Sequence, residues 1–147
     1  MIDYYRDLMR RYGWLEHGLR WIVVQPLDEE LTRDDLLWRL NGGRDPERRV
    51  VPHPVEASAN EDGALVFVVE GDGAWGFLDF TGSTVPDELL AKLSAGARVW
   101  CTVWTFNRHD SLCYAAGGRV RARMSEFAFA DHVRQEGEVV ILDDPFP

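Results

Sequence analysis

Lysine is almost missing from this chain: Lys92 is the sole lysine among 16 basic residues, which face 25 acidic ones for a net charge of −9. That balance argues against general binding to nucleic-acid backbones, which depends on many Lys and Arg contacts to phosphate. Cysteine is nearly as scarce, with Cys101 and Cys113 alone, so no disulfide framework is expected and a reducing, cytoplasmic compartment is the simpler reading. Long apolar runs are lacking too. The longest, residues 64–69, falls far short of the ~20 residues that span a bilayer, so no membrane helix is expected. The opening Met1-Ile2-Asp3-Tyr4-Tyr5-Arg6-Asp7 has acids where a secretory signal has basic and then apolar residues, so no targeting segment is expected.

Signature motifs of chemistry are equally absent. Gly42-Gly43 and Gly117-Gly118 belong to no phosphate loop or dinucleotide fingerprint, and no Gly-x-Ser-x-Gly elbow occurs. His53 with Glu56, or His109 with Cys113, supplies two metal ligands where zinc needs three or four, and His17 and His132 stand apart. Neither a metal nor a cofactor is expected.

What the chain does have is apolar area. With 147 residues, 46% of them hydrophobic and six of them Trp, residues 1–147 suit a single domain, which at this length buries roughly 68–70% of its unfolded surface. Tyr4, Tyr5, Leu8, Met9, Tyr12 and Leu15 recur at helical spacing over 3–16, and residues 19–25 read as a buried strand. Thr32 with Asp35 three residues on resembles a capping box opening a helix that Asn41-Gly42-Gly43 closes. Residues 44–62, with Pro46, Pro52 and Pro54, read as irregular surface, apart from a short strand at Val50-Val51.

Strands over 64–70 and 75–80 flank an Asp72-Gly73 turn, which sets Leu65, Phe67, Val69, Leu78 and Phe80 on one face, taken as the core face. A helix over 86–94 stops at Gly96. Strands follow over 98–106, 111–116 and 119–124, then a short helix over 125–135, a last strand over 138–142 and a loose tail, 143–147. The predicted fold class is α+β: an antiparallel sheet of five to seven strands with two to four helices packed on one face.

Pairing Trp104 with Cys113 would put Cys101 and Cys113 on opposite faces, too far apart for a disulfide. The same register lines up Arg119, Arg121 and Arg123 with Tyr114 as a basic strip able to hold a carboxylate or phosphate.

Tyr12-Gly13-Trp14-Leu15, Asp34-Asp35-Leu36-Leu37-Trp38-Arg39-Leu40 with its following glycines, and Val68-Val69-Glu70-Gly71 together resemble an uncharacterised family of small acidic actinobacterial proteins. Leu93-Ser94-Ala95-Gly96-Ala97-Arg98-Val99 and Tyr114-Ala115-Ala116-Gly117-Gly118-Arg119-Val120 extend the match. The resemblance implies a fold and a bacterial setting, and carries over no catalytic residue.

The binding candidates are therefore Tyr114, Arg119, Arg121 and Arg123 on the strip, and Asn107, His109 and Asp110 in a turn that sets an imidazole beside a carboxylate. The expected function is a non-enzymatic protein-binding module, an immunity or regulatory factor in a bacterial gene cluster, whose partner is another protein. The alternative is a small enzyme or small-molecule-binding protein with a pocket between sheet and helix.

Overall fold

The computed structural model describes residues 7, 10, 11, 18–47, 65–80, 84–105, 110–125 and 134–137. These contain one seven-stranded sheet, antiparallel at every pairing, in the order β2-β3-β1-β4-β5-β6-β7. Its strands are β1 (Gly18–Pro26), β2 (Phe67–Glu70), β3 (Trp75–Asp79), β4 (Ala97–Thr105), β5 (Asp110–Ala116), β6 (Arg119–Ser125) and β7 (Arg134–Gly137). Two helices, α1 (Arg33–Leu40) and α2 (Asp87–Leu93), pack on one face. The expected α+β architecture is the observed one. No helix among the described residues is long and apolar enough to cross a membrane.

The core follows from strand alternation. Ile22 and Val24 of β1 stand beside Cys101 and Val99 of β4 and beside Phe77 and Trp75 of β3, so these side chains share the face that meets the helices. Leu36 of α1 and Leu90 and Leu93 of α2 close over them, each at most 1% exposed. The near-continuous apolar stretch over residues 19–25 suits the interior position of β1 in the sheet, between β3 and β4.

Both helices are set by local chemistry. Thr32 caps α1 with its hydroxyl, which accepts from the Asp35 N–H at 3.3 Å, while the Asp35 carboxylate accepts from the Thr32 N–H at 2.9 Å, completing the expected capping box. Asn41 N–H returns to Leu37, Gly42 N–H to Arg39 and Gly43 N–H to Trp38, which ends the helix through two residues of positive φ. Pro86 supplies the extended residue before α2.

Four expectations are corrected. The Asp72-Gly73 turn forms, with Phe67 opposite Leu78, but the core face of β3 carries Phe77 and Asp79, not Leu78 and Phe80. Burial of Asp79 is tolerated because Arg20, its cross-strand neighbour on β1, donates to it from Nε and Nη2. Across β4 and β5, Trp104 faces Asp110 instead of Cys113, an odd shift that turns every β5 side chain over. Cys101 and Cys113 are consequently direct partners on the core face, and the argument against their contact falls.

The arginine row is broken as well. Gly117-Gly118 makes the expected two-residue turn, but Arg121 is an extra residue between the Ala115–Val120 and Tyr114–Ala122 pairs, a β-bulge that reverses the alternation beyond it. Finally, Ser125, Arg134 and Gln135 lie in strands where a helix over 125–135 was expected. Residues 7, 10 and 11 are helical as expected, and Arg44, Asp45, Pro46 and Glu47 carry no regular structure. The remainder of helix 3–16, residues 48–62, the strand over 138–142 and the tail 143–147 lie outside the described residues.

Candidate functional site

The sheet distributes the sequence-predicted binding residues instead of gathering them. Tyr114 projects from the face away from the helices, its ring 5.5 Å from that of Trp100. Arg119 shares that face at the hairpin end, opposite Ala116. Arg121 leaves the bulge and folds back over the turn, donating from Nε to the Ala116 carbonyl at 3.2 Å. Arg123 lies on the helix face, where its Nε donates to the Cys113 sulfur at 3.1 Å and its Nη2 meets the Asp87 carboxylate at the start of α2. Asp110, 4% exposed, stands opposite Trp104 at the far end of β5. Asn107 and His109 lie outside the described residues. The described members of the set are thus split between the two faces of the sheet.

Between sheet and helices, where a ligand pocket was the alternative expectation, Ile22, Val24, Leu36, Phe77, Leu90, Leu93 and Val99 fill the space. An open concavity lies elsewhere among the described residues. A cleft of ≈ 380 Å³ lies where the loop after β1, the outer side of α1 and the turn after α2 meet, lined by Asp28, Glu30, Leu31, Asp35, Trp38, Arg39, Ala95 and Gly96.

Each wall has a local cause. Leu27 N–H donates to the Gly96 carbonyl at 2.9 Å, joining the end of β1 to the turn after α2, and the Leu27 side chain is 61% exposed. Asp28 then folds the chain, its carboxylate accepting from the Glu30 N–H at 3.0 Å and its carbonyl from the Leu31 N–H at 3.1 Å. Leu36, Leu37 and Leu40 form the inward stripe of α1, and Trp38 falls off that stripe, so its indole is 50% exposed. One edge of the ring rests on Gly43, where a Cβ would come within 3.3 Å of Cζ2.

The electrostatics are one-sided. Arg39 is the cation of the lining, and its Nη1 donates to the Lys92 and Leu93 carbonyls at the end of α2, at 3.3 and 3.5 Å, and to the Ala95 carbonyl in the turn after it at 2.8 Å. Asp28, Glu30 and Asp35 oppose it with three carboxylates. The Thr32 backbone N–H and hydroxyl hold the Asp35 carboxyl below the usual carboxylate range. The cleft therefore offers a flat apolar ring beside negative charge, the surroundings that favour a cation with an apolar stem.

Sequence reasoning passed over this site. Its signal was present in Leu27-Asp28-Glu29-Glu30-Leu31, an acidic run between two leucines, and in the out-of-phase Trp38. Among the described residues no group of three or more His, Cys, Asp or Glu is arranged to hold a metal ion. Comparison with known proteins returns no matching family model, no curated relative and no solved structure.

Proposed function

We propose that this protein is a non-enzymatic protein-binding module whose Trp38 cleft receives a basic, partly apolar segment of another protein. The observation that carries the reading is the half-exposed indole of Trp38 set among Asp28, Glu30 and Asp35. An exposed aromatic ring near the centre of a contact is the commonest kind of binding hot spot, and charge complementarity selects a cationic partner. The net charge of −9 favours approach by the same kind of partner over a distance. In this proposal the bacterial setting rests on the family resemblance, the immunity or regulatory role on that resemblance and the acidity of the chain, and the cytoplasmic location on its scarcity of cysteine.

Covering the exposed half of a Trp ring removes on the order of 100 Å² from water, about 2–3 kcal/mol at ~25 cal/mol per Å². Short synthetic peptides alternating Arg or Lys with Leu, titrated calorimetrically against the full chain, test the reading. Binding that weakens by roughly 30- to 100-fold in Trp38→Ala, and that declines with added salt, is expected. Equal affinity for an acidic peptide of the same apolar content, unchanged affinity in Trp38→Ala, or no binding by the wild type overturns it.

A further inference from the structure

Two thiols face one another inside the sheet. Cys101 of β4 and Cys113 of β5 are paired residues on the helix face, both free, 2% and 6% exposed. Directly opposed residues of an antiparallel pair have Cα atoms about 4.5–5.5 Å apart, inside the ~4.4–6.8 Å range of disulfides, and their Cβ atoms leave the sheet on the same side. The next residue in that row is Arg123 of β6, paired with Cys113. Its Nε donates to the Cys113 sulfur at 3.1 Å, and the Asp87 carboxylate of α2 holds its other end. A guanidinium fixed in this way stabilises negative charge developing on that sulfur. Cys113 is the less completely buried of the two thiols, and the Arg123 side chain that contacts it is 36% exposed.

We propose that Cys101 and Cys113 are a dithiol modification site oxidised by peroxide, with Cys113 as the sulfur attacked first and Cys101 as the sulfur that closes the bond. In the first step the Cys113 sulfur bonds to one peroxide oxygen and the O–O bond breaks. The sulfur keeps a hydroxyl, and the second oxygen leaves as water carrying the Cys113 proton. In the second step the Cys101 sulfur bonds to the Cys113 sulfur and the S–O bond breaks, the hydroxyl departing with the Cys101 proton as a second water. Two thiols lose two electrons and two protons, and one peroxide is reduced to two waters. Burial keeps the Cys101 thiol protonated at neutral pH, its pKa pushed up to about 12, which suits a sulfur that gives up its proton only as the hydroxyl leaves. The resulting bridge pins the register of β4 against β5 beside the Arg123–Asp87 contact that joins the sheet to α2.

The test treats the folded full chain with hydrogen peroxide, denatures it, alkylates it with N-ethylmaleimide and measures the intact mass. The expected wild-type product has lost two hydrogens and takes up no maleimide. Cys101→Ser is expected to stop at a sulfenic acid that dimedone traps, whereas Cys113→Ser stays reduced. Arg123→Gln is expected to slow oxidation roughly tenfold, with recovery in Arg123→Lys. Two alkylatable thiols in oxidised wild type, or equal rates for the folded and the urea-unfolded chain, overturn the proposal. An unchanged rate in Arg123→Gln overturns the assignment of Cys113 as the first sulfur, and the wild-type mass decides the site whether or not any variant folds.

Discussion

Asp79 is a buried carboxylate, 3% exposed on the core face and held by Arg20 at 15% exposure. Removing one member of such a pair leaves the other charge buried alone, at a cost of about 3–5 kcal/mol. Arg20→Met is therefore expected to be strongly destabilising in urea unfolding. The double change Arg20→Met, Asp79→Leu is expected to recover much of the loss, and a double variant no better than the single would refute the coupling. Cys101 makes a second prediction at this scale. Burial is the main cause of its raised pKa, from 9.0 to about 12, with Cys113 and Asp79 acting in the same direction and Arg20 and Arg123 against them. Below pH 9 both folded and unfolded chains keep this proton; between about pH 9 and 12 the unfolded chain releases it and the folded one does not, so its contribution to stability falls as pH rises. A Cys101→Ala variant is expected to show a shallower alkaline loss of stability than wild type, read from urea midpoints across that window.

Helix α1 depends on its cap. Thr32→Ala removes the hydroxyl that accepts from Asp35 N–H and is expected to cost about 1 kcal/mol. Because the Asp35 carboxyl sits below its ordinary value of 3.8 when folded, its share of the cap is present at neutral pH and is lost as the pH falls through that range. The difference between wild type and Asp35→Asn in urea melts should consequently shrink in acid, and a constant difference would count against the box as the cause. Strand β3 depends on a gap in place of a side chain. The Trp21 ring crosses Gly76 so closely that a Cβ there would sit 2.3 Å from Cη2. Gly76→Ala is expected to destabilise by about 1–3 kcal/mol, through overpacking, and Trp21→Leu is expected to relieve it; thermal melts of the three variants decide. Helix α2 is anchored at its end by Ser94, fully buried, whose hydroxyl accepts from the Gly118 N–H at 3.1 Å and donates to Ala91 at 2.9 Å. The β5–β6 hairpin is thereby tied to the helix layer.

At the scale of the molecule, the Trp38 cleft and the Cys101–Cys113 pair lie apart in the fold. The Trp38 cleft belongs to the outer side of α1 and the turns beside it, whereas the dithiol lies beneath the start of α2 in the middle of the sheet. The proposed peroxide oxidation and the proposed peptide binding are thus separable, and Trp38→Ala is expected to leave the oxidation rate unchanged. Among the described residues, no strand pairs with the outer side of β2. Edge strand β2 exposes Val68 at 40% and Val69 at 48%, one on each face, and carries Glu70 as its one charged residue.

Local chemistry made many elements legible in the amino-acid order. The Thr32–Asp35 box, the glycines at 42, 43, 96, 117 and 118, and the apolar stripes of α1 and α2 each depend on groups within a few residues, so their spacing is enough to place them. The sequence by itself therefore determined an antiparallel α+β sheet protein with helices on one face. Which way each strand faced was decided only in three dimensions. The connection between β4 and β5 differs by an odd number of residues from the one that hydrophobic pairing suggested, and the bulge at Arg121 adds another reversal. Side chains alternate with a period of two, so each such slip exchanges the faces; that physical fact dispersed the arginine row, brought Cys101 to Cys113, and left the cleft at Trp38 to be found from the packing of helices and turns that are distant in sequence.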